Sequence, residues 1–280
     1  MLAENTNTQG VTSYTRLFLM ALVLPLLFIA GVQLFVLSEQ TETYFAWTFA
    51  SPISAAFLGG GYWAAMLHAY RGVNARSWAF VRSSWLASIT ATTLLAITTY
   101  LHIDKFHLGS PLFITRFVTW VWIAIYIFTP PALTIIGIMQ TRISDPNSKG
   151  QDPLPIWMKA GFGLLAAFAL LSGLGLFITP ANMTATWPWA VTPLAARTVG
   201  SWMAAFGVAC ATLLYENDFR HGNGTCSSLF AFCILQLIVF ARYTSAIDWS
   251  KPLAIGYLLF LFLGLIVCGS NLFANRKLST

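Results

Sequence analysis

Charged residues are scarce in this chain of 280 amino acids. Only 9% of its residues are Asp, Glu, Lys or Arg, whereas about a quarter are charged in an ordinary soluble domain. Hydrophobic residues make up 57%, and the mean hydropathy is +0.70. Such a chain has too few polar groups to cover its surface in water, which excludes a soluble enzyme or binding domain. We expect the lipid bilayer to be its solvent and partner.

The long apolar stretches also lack acidic residues, and the sequence has no closely spaced pair of cysteines. No Asp or Glu falls inside the long apolar stretches, which argues against a proton relay built on buried carboxylates. The four cysteines form no C-x-x-C pair, so neither a disulfide framework nor a zinc site is expected, and no metal ligand is assigned. We interpret them as buried, small apolar residues. They are Cys210, Cys226, Cys233 and Cys268.

Long hydrophobic runs dominate what is present. A membrane-spanning helix needs about 20 apolar residues, and eight stretches meet this length: 17–37, 52–70, 83–102, 112–139, 157–178, 193–214, 226–246 and 252–273. They predict an all-α, polytopic integral membrane protein. In helix four, Pro130 and Pro131 remove two backbone donors, so we expect a kink or a broken turn there.

The basic residues predict how the helices cross the membrane. The positive-inside rule favours both termini in the cytoplasm, in a plasma (inner) membrane. Ten basic residues then lie inside: Arg16, Arg71, Arg76, Arg82, Arg142, Lys149, Lys159, Arg220, Arg276 and Lys277. Five lie outside: Lys105, Arg116, Arg197, Arg242 and Lys251. The net charge of +6 is scattered over loop ends, so no nucleic-acid partner is expected.

A collinear set of matches predicts an internal duplication. Trp47, Pro52, Ala55 and Gly59 correspond to Trp189, Pro193, Ala196 and Gly200, and further pairs follow at offsets of 141 to 144 residues. Two parallel four-helix repeats would occupy 17–139 and 157–273, around an axis along the membrane normal. Residues 1–16 are expected to be a disordered cytoplasmic terminus, 140–156 a cytoplasmic linker and 274–280 a cytoplasmic tail.

Small residues and hydroxyls suggest how the helices meet. Ala55 and Gly59, like Ala196 and Gly200, lie one turn apart on one helix face, so helices two and six are predicted to approach closely near the axis. Helix three is rich in hydroxyls, which either bond between helices or line a polar pathway. They are Ser83, Ser84, Ser88, Thr90, Thr92, Thr93, Thr98 and Thr99.

Polar residues near the predicted outer ends form the candidate binding site. If those ends converge, Arg116, Arg197 and Arg242 create a pocket beside Asp104 and Asp248, under a rim of Trp47, Trp187 and Trp189. The planar guanidinium fork suits a carboxylate or phosphate, so an anionic solute or lipid head group is the predicted ligand. In the alternative, the arginines form ion pairs or snorkel to the interface, and the tryptophans belong to an aromatic belt.

Three functions remain open from the sequence. A small permease, channel or ligand-binding membrane protein uses the arginine pocket. A membrane-embedded enzyme acting on a lipid or isoprenoid would need an acid or base among Asp104, Asp248, His102 and His107, and no catalytic residue is assigned. A non-catalytic assembly or pigment-binding subunit uses its aromatic residues for packing. The cofactor is unknown, and an oligomer or partner subunit fits all three functions.

The histidines do not predict a haem. His68 lies at the inner end of helix two, His102 and His107 lie outside, and His221 is in an inner loop. No two of them share one depth on separate helices, as a bis-histidine haem would require. We interpret His68 as an interfacial side chain.

Overall fold

The computed structural model describes residues 11–145 and 152–278, with side chains as far as Asn275. These residues form helices and no strand, as predicted. The long helices are α1 Ser13–Val36, α2 Pro52–Asn74, α3 Arg82–Leu101, α4 Phe113–Thr141, α5 Ile156–Ile178, α6 Pro193–Glu216, α7 Asn223–Arg242 and α8 Pro252–Leu278. All of them except α2 are long and apolar enough to cross a membrane. The all-α, multi-pass architecture is therefore confirmed.

Helix α2 is less apolar because other helices surround it. It is 23 residues long, and most of its residues are buried, including Ser54 and the run Gly59, Gly60 and Gly61. A helix enclosed by protein needs no apolar surface towards lipid. Its buried faces instead need small residues, which allow neighbouring backbones to come close.

Helix α1 contains two wider turns of π geometry, Leu19–Val23 and Val32–Val36. Pro25 has no backbone N–H, so it cannot donate to the carbonyl one turn before it. The preceding turn adjusts, and the N–H of Leu24 donates to the carbonyl of Leu19, five residues back. Such turns change the direction of the side chains that follow and often occur next to functional sites.

Contacts at the ends of the long helices define two faces of the bundle. At the first, which we call the terminal face, Arg16 Nη2 donates to Ala75 O at 2.8 Å and Phe219 N donates to Asp152 O at 2.8 Å. At the second, the opposite face, Arg242 Nη1 donates to Phe35 O at 2.7 Å. The chain crosses between these faces with each long helix, so α1 begins and α8 ends at the terminal face.

The two halves of the chain interlock. Helix α3 packs extensively against α6, and α2 packs extensively against α7. Within each half, α1 packs on α2 and α5 packs on α6. The core therefore lies among α2, α3, α6 and α7, and the neighbouring helices cover it.

The same order of elements occurs twice. A short helix follows α1 at Thr41–Tyr44, and another follows α5 at Pro180–Met183. Single 3₁₀ turns precede α3 and α7, and further 3₁₀ turns follow both of them. They are Trp78–Phe80, Ile103–Lys105, Arg220–Gly222 and Thr244–Ala246.

Several boundaries differ from the predictions. Ser13–Arg16 is helical rather than disordered, because Thr12 caps the helix and Gln140 Nε2 donates to the Thr12 and Thr15 hydroxyls, both at 2.8 Å. Helix α8 continues to Leu278, so most of the predicted tail is helical. Residues 1–10, 146–151 and 279–280, which include parts of the predicted terminus, linker and tail, lie outside the described residues.

Two details of helix geometry differ from the predictions. A kink or a broken turn was predicted in α4; the helix is not broken at Pro130 and Pro131 but continues through both, and the kink stays a prediction. The small-residue faces of α2 and α6 do not meet each other. Gly59 lies against the α1 backbone, and Gly200 lies against α5 at Gly173. Helices α2 and α6 approach each other elsewhere, where Gly61 faces the Trp202 ring.

Candidate functional site

The three predicted rim tryptophans are buried, so they do not form the rim of an open pocket. Trp47 is 2% exposed and packs against Phe45 and Trp122, with ring centroids 4.6 and 4.9 Å away. Trp187 and Trp189 pack on each other at 4.9 Å in a second cluster, in which Trp189 Nε1 donates to Ser54 Oγ at 2.9 Å. These rings fix the loops of the opposite face into the core.

Each of the three arginines has different surroundings. Arg197 donates to His102 Nε2 at 2.7 Å. Arg242 donates to Phe35 O at the C-terminal end of α1 and lies 3.5 Å from the Glu39 carboxylate. Arg116 is exposed, and its side chain has no polar partner among the described residues. No contact joins any two of these arginines in the described part of the chain.

The acidic members of the predicted pocket are exposed loop residues. Asp104 forms an ion pair with Lys105 at 3.0 Å, and this contact lowers the pKa of Asp104. Asp248 accepts from the Ser250 hydroxyl at 2.6 Å, and hydrogen bonds from Ser250 lower the pKa of Asp248. Neither carboxylate contacts Arg116, Arg197 or Arg242 within the described residues.

His102 is the partner of Arg197, a residue of α6, at the opposite face. Partial burial and the neighbouring Arg197 charge lower its pKa, in that order of size. A neutral imidazole suits the contact, because Nε2 accepts a hydrogen bond from the guanidinium only when it carries no proton.

An apolar cavity lies elsewhere, between the four helices of the first half of the chain and α6. Its volume is about 160 Å³, and its walls come from α1, α2, α3, α4 and α6, with two hydroxyl residues of α7. Its lining is mostly aliphatic and aromatic. Helices α1 and α4 form two of its walls but make few contacts with each other, and Leu22 at its edge is 49% exposed. The cavity therefore reaches the outer surface of the bundle at Leu22.

A histidine and a serine supply one polar point in this cavity. His68 on α2 and Ser88 on α3 both line it, and His68 Nε2 lies 3.0 Å from Ser88 Oγ. The interpretation of His68 as an interfacial side chain was wrong, because its ring points between helices. On α2, His68 follows Tyr62 and Ala65 at intervals of three residues, which puts all three on the same wall.

Two tyrosines supply a second polar point, nearer the middle of the bundle. The hydroxyls of Tyr62 on α2 and Tyr126 on α4 are hydrogen-bonded to each other. Both residues line the cavity, next to the rings of Trp122 and Trp202. Trp122 Nε1 donates to Thr99 Oγ1 at 3.0 Å, which fixes this part of the wall.

The hydroxyls of α3 include the predicted contact between helices, whereas the polar pathway stays a prediction. Ser88, Thr92 and Thr99 each donate to a carbonyl oxygen of their own helix, four residues earlier. Ser83 bonds to Thr225 of α7 at 2.9 Å and so joins the two halves. Ser84, Ser88 and Thr92 line the cavity.

A buried ionic cluster at the terminal face was missed by the sequence analysis. Helix α6 extends to Glu216, whose side chain is 2% exposed. One carboxylate oxygen forms an ion pair with Arg82, and the other lies 3.0 Å from His221 Nδ1. A buried carboxylate at the end of a helix is thus present. It joins α3 of the first half to α6 of the second.

The described residues contain no group of three His, Cys, Asp or Glu side chains that could hold a metal ion. The four cysteines are buried and unpaired. Comparison with protein-family models, curated proteins and solved structures gives no match.

The residues that line the cavity leave only a weak signal in the sequence. His68 is a single histidine near a predicted helix end, and Tyr62 and Tyr126 are two of nine tyrosines. The spacing of Ser84, Ser88 and Thr92 at four residues marks one face of α3. Which helices surround that face is a matter of tertiary packing, and no periodicity reports it.

Proposed function

We propose that this multi-pass membrane protein binds an apolar ligand in the cavity between α1, α2, α3, α4 and α6. The observation that carries the proposal is the cavity itself, with its apolar lining and only a few polar points. Binding sites for small apolar molecules have this composition and often lie between the helices of a bundle. The weak contact between α1 and α4 gives a ligand a route in from the bilayer.

We also propose that the chain arose by duplication of a four-helix unit. Equivalent contacts support it: Gly59 lies against the backbone of Phe35, and Gly200 lies against the backbone of Phe177. The loops agree as well. His107 N donates to Ala46 O at 2.9 Å, and Asp248 N donates to Pro188 O at 2.7 Å. The sequence matches pair Asp104 with Asp248, so this loop differs in register between the halves.

The proposed repeat makes the cavity specific to the first half. Tyr62, His68 and Tyr126 correspond to Met203, Ala209 and Val267 at the offset of 141 residues, and all three of these are buried. On the other side of the axis, Gly161 lies so close to Val267 that α5 and α8 leave no space between them. The polar side chains of Tyr62, His68 and Tyr126 thus occur on the side that has the cavity, and apolar residues replace them on the side that has none. This difference is expected if only one side binds a ligand.

The orientation is part of the proposal. The terminal face carries most of the basic residues, so the positive-inside rule favours this face in the cytoplasm of a plasma (inner) membrane. The cavity lining runs from Tyr62 in the middle of α2 to Gly72 near the terminal face. A ligand would then lie in the cytoplasmic half of the bilayer.

The arginine pocket remains a prediction with less support. Arg197 and Arg242 are already bonded to His102 and Phe35, and Arg116 is exposed. An anion would have to attract side chains from three separate surroundings. The enzyme alternative is supported less still, because both ring nitrogens of His107 have partners, Thr48 and the Phe45 carbonyl.

The test is to purify the full chain gently and to measure its native mass and its ultraviolet–visible spectrum. We expect a bound apolar molecule that organic extraction releases. The Ala91→Phe variant should lose it, because Ala91 lines the cavity and a benzyl group would fill the space. The Ala124→Phe variant adds the same group on the exposed face of α4 and should keep the ligand.

Either of two results would contradict the proposal. One is a protein at its bare mass that also fails to take up any added alkylbenzene. The other is equal occupancy in the two variants, since the ligand would then lie outside the cavity. If both variants lose the ligand because both unfold, the melting temperature of the Ala124→Phe control is lowered as well.

A further inference from the structure

The hydrogen bond between His68 and Ser88 has a definite direction. Ser88 Oγ lies 3.0 Å from the carbonyl oxygen of Ser84, which can only accept, so the serine proton is directed there. The Ser88 oxygen must therefore accept from His68 Nε2, which is also 3.0 Å away. Nε2 carries the hydrogen, and Nδ1 of the neutral ring keeps its lone pair.

The lone pair on His68 Nδ1 is an unused acceptor. Among the described residues, no donor is bonded to it, and His68 lines the cavity. An acceptor left without a donor in an apolar environment is costly. A ligand that brings an O–H group to this atom removes that cost, whereas a ligand with only acceptor oxygens does not.

The size of the cavity suits a single ring. Its volume is about 160 Å³, and an apolar protein cavity of about 150 Å³ is known to hold one benzene molecule. Its walls include the rings of Trp85, Trp122, Trp202 and Phe206. Aromatic walls favour a flat ring over a flexible chain, because offset and edge-to-face contacts add to the burial of area.

The far end of the cavity can accommodate a second polar atom. Tyr62 and Tyr126 have two hydroxyl protons between them, and their mutual bond uses only one. Tyr62 and His68 are six residues apart on α2, which is about 9 Å along the helix axis. A ring with oxygen atoms at opposite ends therefore meets a donor at the tyrosines and an acceptor at His68.

We propose that the ligand carries a hydroxylated aromatic head group, a phenol or quinol, whose O–H donates to His68 Nδ1. This inference rests on the proposed function, because it concerns the same cavity. An apolar tail on the ring extends between α1 and α4 into the lipid. The fully oxidised quinone form, which has no O–H, binds more weakly than the quinol.

Three matched probes test the role of the O–H group: 4-nonylphenol, 4-nonylanisole and nonylbenzene. They share a ring and a tail, and they differ in having a donor, an acceptor only, or neither. Their affinities for the full chain in lipid nanodiscs are measured by the fluorescence of the cavity tryptophans. We expect the phenol to bind roughly three- to tenfold more tightly than the other two, which corresponds to one hydrogen bond.

Two variants connect this preference to the histidine. His68→Phe keeps a ring but has no nitrogen, so the phenol should bind this variant no better than nonylbenzene does. The affinity of nonylbenzene should be the same for the variant as for the unmodified protein. His102→Phe, at the opposite face, is the control and should keep the preference. Ser88→Ala leaves His68 free to carry its hydrogen on either nitrogen, so the phenol should lose part of its advantage over the anisole.

The outcomes separate this inference from the proposed function. Equal affinities of the three probes for the unmodified protein overturn the hydroxyl inference but leave an apolar binding site. No binding of any probe overturns both. If His68→Phe does not fold, an unchanged phenol-to-anisole ratio in Ser88→Ala overturns the assigned direction of the hydrogen bond.

Discussion

His102 connects a single side chain to the pH of the medium. Burial and then Arg197 lower its pKa in the folded protein, whereas the unfolded value is about 6.5. Well above pH 6.5, His102 is neutral in both states. As the pH falls below this value, the unfolded chain takes up a proton before the folded protein does, so the stability decreases until the pH reaches the folded pKa.

We therefore expect the melting temperature to fall between pH 7 and pH 5, and to fall less in His102→Gln. The amide oxygen of glutamine accepts the Arg197 hydrogen bond but does not titrate. Arg197→Gln should reduce the slope as well, because it removes the second cause of the shift. Thermal unfolding in buffers of equal ionic strength measures both. Equal slopes in the unmodified protein and His102→Gln would show that another group titrates.

At the scale of residues, the sequence predicted chemical type better than position. Arg197 and Arg242 do lie near helix ends. Arg242 forms an ion pair with Glu39, whereas Arg197 bonds to His102, and within the described residues neither forms the ion pair with Asp248 that the alternative predicted. The tryptophans were expected at a rim but are buried. The sequence did not show this, because a tryptophan near a proline occurs both in aromatic belts and in buried cores. His68 was misjudged for a similar reason. Its depth follows from the sequence, but the direction it faces depends on α3.

Close contact between helices depends on single glycines. A methyl group at Gly200 would lie 2.6 Å from the Gly173 carbonyl oxygen, and this oxygen belongs to a backbone that cannot rotate away. Gly200→Ala should lower the free energy of unfolding by about 1–3 kcal/mol, as overpacking does, although alanine favours a helix. Thermal unfolding in detergent measures the change.

Gly109→Ala provides the control for this contact. Gly109 lies in a loop, and a methyl group there meets nothing within 4 Å. It should leave the melting temperature almost unchanged. If both variants melt at the same temperature, the close contact between Gly200 of α6 and Gly173 of α5 does not contribute to stability.

At the scale of elements, the apolar runs predicted all eight long helices, with ends that differ by a few residues. Length and hydropathy suffice for all of them except α2, because lipid forces the backbone to bond within each helix. The π turns of α1 and the continuous α4 were not foreseen. Prolines occur in both helices. Whether a helix widens, breaks or continues there depends on how neighbouring groups satisfy the freed carbonyls.

The orientation of the whole molecule can be tested with cysteines, because the four native ones are buried and should react little. Ser144 and Ser245 are both exposed, at the terminal and the opposite face respectively. In intact cells, a membrane-impermeant maleimide should label Ser245→Cys at once. It should label Ser144→Cys only after permeabilisation. The reverse pattern would put the termini outside.

At the scale of the molecule, the repeat pattern indicated two halves but not how they combine. The matches at offsets of 141 to 144 residues predict which residues correspond. They do not show that α3 crosses to α6, or that the space beside α1 stays open while the space beside α5 is filled. Those features depend on side-chain volumes on facing helices.

The pairing of α2 with α7 and of α3 with α6 has a consequence for how the protein is made. Synthesis begins at the N-terminus, so α2 and α3 enter the membrane before α7 and α6, against which they pack, have been made. Until α6 and α7 follow, the small and hydroxyl-bearing faces of the early helices must be held by lipid or by the insertion machinery. The nascent chain therefore has to be kept from premature association until its second half is complete.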